Sequence, residues 1–165
     1  MSDYKKVVLF IFLLVIMAIA IVYIGFSMNE LDNSMSDISD NIVAGDKEYN
    51  EAVDLINNKN YDGALEKALR ASDNYNKSLE NLLDIQNSSD NLNEIHNEYI
   101  DTILNEIELK GNATYNLISA IYCFRNNDNA TGSSYGSEAN SLMDEAIVCQ
   151  NTRNKLVENN PKLFR

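Results

Sequence analysis

The side chains able to do chemistry are few in kind. His96 is the only histidine in 165 residues, set among 25 acidic and 13 basic side chains. A di-metal carboxylate site in a helical bundle needs a glutamate three residues before a histidine, and Asn93 occupies that place. With Tyr99 and Ile100 close by, His96 is expected to be a half-buried packing residue. The chain contains no Cys-x-x-Cys pair, no phosphate-cradling glycine loop and no nucleophile elbow. Cys123 and Cys149 fall on different elements and out of step, so two buried thiols are expected rather than a disulfide. Carboxylates are plentiful, but on helices they ordinarily form a solvated face, and no pair stands apart from the rest. No catalytic residue and no cofactor are assigned, and the chain reads as a non-enzyme.

One stretch is a candidate for holding an ion. Asn127, Asn129, Thr131, Gly132 and Glu138 fall at positions 1, 3, 5, 6 and 12 of an EF-hand-like calcium loop. Asn127 stands where that loop has aspartate, and Ser134 where it has an apolar residue. A single carboxylate ligand implies an affinity of about 10⁻³ M or weaker, because charge count tunes binding. The loop is therefore a weak candidate, and no metal is expected. Four N-x-[ST] sequons occur, at Asn76, Asn87, Asn112 and Asn129. With 25 Asn and 18 Ser plus Thr, chance alone gives about three. Asn87 and Asn129, read as loop residues, are the glycosylation candidates, whereas Asn76 falls inside a helix.

The elements that position these residues are helical. Glycine is sparse, proline occurs once and tryptophan is absent, too little turn punctuation for a strand-rich fold. Leu31, Met35, Ile38, Ile42, Gly45, Tyr49, Ala52 and Ile56 step alternately by four and three, a heptad seam with one glycine gap. The polar break Asn57–Asn60 ends it. Tyr61, Leu65, Ala68, Ser72, Tyr75, Leu79 and Leu82 form a second seam, widened by Leu69 and Leu83. After a break at Gln86–Asp90, Asn91 and Glu94 resemble a capping box opening a third helix. It carries Ile100, Ile103 and Ile107, then Leu117, Ile121 and Phe124, with an interruption at Lys110-Gly111-Asn112. Tyr115–Phe124, apolar nearly all round, is expected to be its best-buried part. The segment 126–136 reads as a loop. A fourth seam of Tyr135, Ala139, Leu142, Ala146, Cys149 and Leu156 runs to Asn159-Asn160-Pro161, a helix stop. The expected fold is all-α, an up-down-up-down antiparallel four-helix bundle.

Within the second helix, NYDGALEKALRAS resembles the middle of a tetratricopeptide repeat, matching its spacing at Tyr61, Ala64, Leu65 and Ala71. The match covers 13 residues and occurs once, whereas such repeats need neighbours to be stable. Glu51 stands where the repeat usually has leucine, and the helix continues past the place for a terminating proline. Small residues that let two helices pack closely account for the same pattern.

The address of the chain is written in Val7–Phe26, twenty apolar residues without a charge. About 20 helical residues cover the ~30 Å hydrocarbon core of a bilayer. Lys5 and Lys6 precede the run and acidic residues follow it, which predicts a cytoplasmic N-terminus and an exterior remainder. The run exceeds the roughly 7–15 apolar residues of a cleaved secretory signal. It resembles the archaeal pilin-type signal in its basic stub, but Lys6 stands where that family has a small residue. The expected organisation is a stub at 1–6, an uncleaved transmembrane signal-anchor at 7–26, an extracytoplasmic bundle at 29–160 and a tail at 161–165. Leu163 and Phe164 are expected to meet lipid headgroups.

Of the chain's net charge of −12, Lys5, Lys6 and Asp3 contribute +1, so the remainder carries −13. That excludes a nucleic-acid partner and suits a solvated exterior. The layout resembles the four-helix exterior domain of bacterial and archaeal chemoreceptors, whose second span and signalling part have no counterpart in these residues. Two functions are expected from different classes. One is a non-catalytic surface module meeting a protein, the envelope or a second copy of itself. The other, which the resemblance implies, is a ligand sensor. A pocket lined by Tyr49, Tyr75, Tyr99 or Tyr115 favours the sensor, and a fully packed seam favours the module.

Overall fold

The structure is a computed structural model that describes residues 35–88 and 92–164. The expected anchor at 7–26 lies outside these residues, as does Leu31. Among the described residues, no helix is long and apolar enough to cross a membrane. The compact unit Asp37–Arg165 holds the bundle.

Four helices form that bundle: α1 (35–57), α2 (Tyr61–Ser88), α3 (Glu94–Arg125) and α4 (Asn129–Asn159). Cross-helix pairs fix their directions. Ser78 donates to the Ile38 carbonyl while Lys67 meets Glu51, so α1 and α2 are antiparallel. Arg125 with Asp62, and Gln86 with Asp101, do the same for α2 and α3. Arg153 with Glu106, and the Leu163 carbonyl with His96, align α4 against α3.

Two of the connections are built alike. At the end of α1, Asn60 N–H donates to the Leu55 carbonyl and Lys59 N–H to Ile56. At the end of α3, Asp128 N–H donates to Cys123 and Asn127 N–H to Phe124. Both are Schellman closures around a left-handed residue, Lys59 at φ 57° and Asn127 at φ 61°. The next residue caps the following helix in each case: Asn60 accepts from Gly63 N–H, and Asp128 from Thr131 N–H. The third helix is capped by Asn93, which accepts from His96 N–H, two residues beyond the expected Asn91.

The seam of α1 is as the heptad predicts, with Ile38, Ile42, Gly45, Tyr49 and Ala52 buried. The gap at Gly45 is filled by the Tyr75 ring, so close that a Cβ there would lie 2.5 Å from Tyr75 Cε1. On α2 the buried line is Ala64, Ala68, Ala71, Tyr75, Ser78, Leu82 and Ile85. The expected seam is thus rotated: Leu65, Ser72 and Leu79 flank the core, and Leu69 and Leu83 are exposed. Alanines win the central line because they let α1 approach while leucines fill the sides.

Three other expectations are corrected. Helix α3 has no interruption, since Lys110 is buried and Gly111 and Asn112 continue the helix. Tyr115–Phe124 is not its best-buried stretch, because Tyr115 and Tyr122 are exposed on the outer face. The segment 126–136 is not a loop, since α4 begins at Asn129. At the C-terminus, Phe164 packs on α3, 4.9 Å from the Tyr99 ring and edge-on to His96 at 5.4 Å. Its ring is thereby committed to the protein, and only Leu163 of the tail's apolar pair is exposed.

Candidate functional site

The polar centre of the bundle draws a side chain from every helix. Lys110 on α3 is 2% exposed, and its ammonium lies 2.7 Å from both carboxylate oxygens of Asp46 on α1. Tyr75 on α2 donates its hydroxyl to Asp46 Oδ1 at 2.7 Å. One turn before Lys110, Glu106 is completely buried, 3.1 Å from the Lys110 ammonium. Arg153 on α4 reaches the other Glu106 oxygen at 3.3 Å. Two cations face two carboxylates, so the cluster is neutral. Neither Glu106 oxygen has a hydrogen bond, leaving the ion pairs as its compensation for lost water. Burial, followed by the neighbouring Asp46 charge, pushes the Tyr75 hydroxyl far above its ordinary range.

Beside this cluster a notch of about 210 Å³ opens to solvent between α1, α3 and α4. Asp46, Tyr49 and Asn50 line it from α1, and Lys110 forms part of its wall. Met143, Ile147 and Gln150 line it from α4. Tyr49 is 3% exposed, yet its hydroxyl has no hydrogen-bond partner. Burial pushes that hydroxyl up to about 12. A second groove, of about 420 Å³, runs between α2 and α3 and is lined by Tyr75, with Asn76 and Asn112 at its rim. Of the other two tyrosines expected at a pocket, Tyr99 is covered by Phe164 and Tyr115 points to solvent.

The residues singled out from the sequence are not brought together. Asn127 lies in the turn, whereas Asn129, Thr131 and Glu138 are exposed residues of α4. Thr131 and Glu138 stand about 10 Å apart along that helix at its ~1.5 Å rise, so the calcium-type loop does not form. Among the described residues no group of three or more His, Cys, Asp or Glu could hold a metal ion. Asn87 lies in the last turn of α2 rather than in a loop, and Asn129 opens α4; both are exposed. Cys123 and Cys149 are free and half-buried. The Arg153–Glu106 pairing sets Cys149 about level with Lys110, some 13 residues or roughly 20 Å from Cys123. Burial, then Glu106 and Glu145, raises the Cys149 thiol above its ordinary range. His96 is half-buried and pairs with the Leu163 carbonyl at 3.0 Å.

The cluster had a signal in the sequence. Ile103, Ile107, Lys110 and Thr114 step by four, three and four, so Lys110 stands on the seam, and Arg153 lies seven residues beyond Ala146 and fourteen beyond Ala139. A cation on a seam position calls for a buried carboxylate, and Glu106 stands one turn away. Comparison with protein-family models, curated proteins and solved structures finds no match to this chain.

Proposed function

We propose that this chain is a single-pass membrane protein, held by residues 7–26, whose bundle acts outside the cell membrane as a non-catalytic interaction module. The observation that carries the reading is the uncharged run Val7–Phe26 behind Lys5 and Lys6. The bundle adds support through the apolar side chains it leaves outside. Ile147 and Val148 on α4, and Tyr115 and Tyr122 on α3, are exposed. The partner in this reading is another protein, the envelope or a second copy of the chain. In intact cells, added protease should reach residues 29–165. Protection of the bundle until the cells are lysed would overturn the topology. Crosslinking from membranes, followed by identification of the captured protein, then tests the interaction role.

A second reading, a ligand-binding bundle, is favoured by one observation: the notch at Tyr49, where the seam is not fully packed. It is tested by titration of small molecules against the intact chain.

A further inference from the structure

We propose that the notch between α1, α3 and α4 takes a small, uncharged, polyhydroxylated molecule, a polyol or a monosaccharide; this rests on the ligand-binding reading above. Tyr49 is 3% exposed and lines the notch, and its buried hydroxyl lacks a partner, so it carries a proton that needs an acceptor. Asp46 presents the opposite need. Its Oδ1 receives both Tyr75 and Lys110, but its Oδ2 receives Lys110 alone, and the side chain is 32% exposed. A lone pair therefore remains for a donor from the notch.

The charges select among ligands. The Lys110 ammonium is committed to Asp46 and Glu106, so no free cation greets an anion, and Asp46 repels one. A cationic ligand satisfies Asp46 but leaves the Tyr49 proton without an acceptor. A hydroxyl group does both, donating to Asp46 and accepting from Tyr49. Asn50 and Gln150 each offer a donor and an acceptor to further hydroxyls, and Met143 and Ile147 present apolar surface to the carbon skeleton. At about 210 Å³ the space falls below the ~300–1,000 Å³ of drug-sized pockets, which limits the ligand to a small one.

The test is calorimetric titration of the full chain in a detergent without a sugar headgroup. Glucose and myo-inositol are the hydroxylated probes, with acetate and methylammonium as charged ones. At least one hydroxylated probe should bind saturably. Tyr49→Phe should weaken it roughly tenfold. Ile147→Trp, a change at the exposed rim, should abolish it. Both variants should melt within about 2 °C of the parent, since neither removes a hydrogen bond made within the protein. Saturable binding of a charged probe alone, lost in Ile147→Trp, would overturn the ligand class and leave the notch as a binding site. Hydroxylated-probe binding untouched by either variant would place the site elsewhere. No saturable binding of any probe would make the notch a hydrated defect, and both readings would fall.

Discussion

Lys110 and Lys67 make the same kind of contact with very different consequences. Lys67 bridges Glu48 and Glu51 at 2.9 and 2.6 Å on the edge of the bundle, where all three side chains keep part of their exposure to water. Exposed pairs of this kind contribute ~0–1 kcal/mol. Lys110 is enclosed, and removing it leaves a fully buried Glu106 with one fewer counter-charge and Asp46 unpaired. Lys110→Ala should therefore cost about 3–5 kcal/mol, and Lys67→Ala less than ~1 kcal/mol, measured from urea midpoints. Equal losses would mean that the cluster is hydrated and behaves as surface. Gly45 supplies a second test. A methyl group there would press on a Tyr75 ring that is itself held by Asp46. Gly45→Ala should cost about 1–3 kcal/mol, the usual penalty of overpacking, despite its gain in helix propensity.

Helix α4 shows where pattern and propensity part company. The segment after Asp128 holds Thr131, Gly132, Ser133, Ser134 and Gly136 within eight residues, a composition that reads as loop. It is helical because Asp128 caps it and because Gly132 lies beneath the Phe124 ring, where a Cβ would sit 2.7 Å from Cε1. Neither contact is local in a way that periodicity detects. Asp128→Ala should cost about 0.5–2 kcal/mol, and its helical circular-dichroism signal should fray from the start of α4. An unchanged melt would show that packing alone holds this end. On α1 the heptad was sufficient, since one strong stripe faced one core. On α2 two stripes competed, leucine against alanine, and close helix approach chose the alanines. Ala68→Leu should thus destabilise by about 1–3 kcal/mol, whereas Leu69→Ala on the exposed face should change little. Ile121, placed in the core by its seam, is fully buried. Ile121→Asp should cost several kcal/mol, on the order of 3–5.

The bundle as a whole should fail towards alkaline pH. Burial raises the hydroxyls of Tyr49, Tyr75 and Tyr99 above their ordinary value near 10. A raised folded-state value means that the folded chain holds these protons after the unfolded chain has lost them. The stability they confer is present below about pH 10 and falls above it, by up to ~1.4 kcal/mol per pH unit for each such group. For Tyr49 the window closes near 12; for Tyr75 it extends further. Tyr75→Phe should be about 1 kcal/mol less stable than the parent at pH 7, where it lacks the bond to Asp46. The gap should narrow or reverse above pH 10. Parallel urea midpoints from pH 7 to 11 read this directly, and parallel curves would remove Tyr75 from the account.

The neutral cluster also bears on inheritance. Asp46, Glu106, Lys110 and Arg153 stand on three different helices yet balance as one set, with Tyr75 supplying the fourth helix's share. A lineage that loses Lys110 keeps two acids with one cation, so a second substitution at Asp46 or Glu106 should accompany or precede the first. Among descendants of this sequence these four positions should change together and rarely singly. The exposed Glu66–Arg70 and Asp73–Lys77 pairs, by contrast, should drift independently.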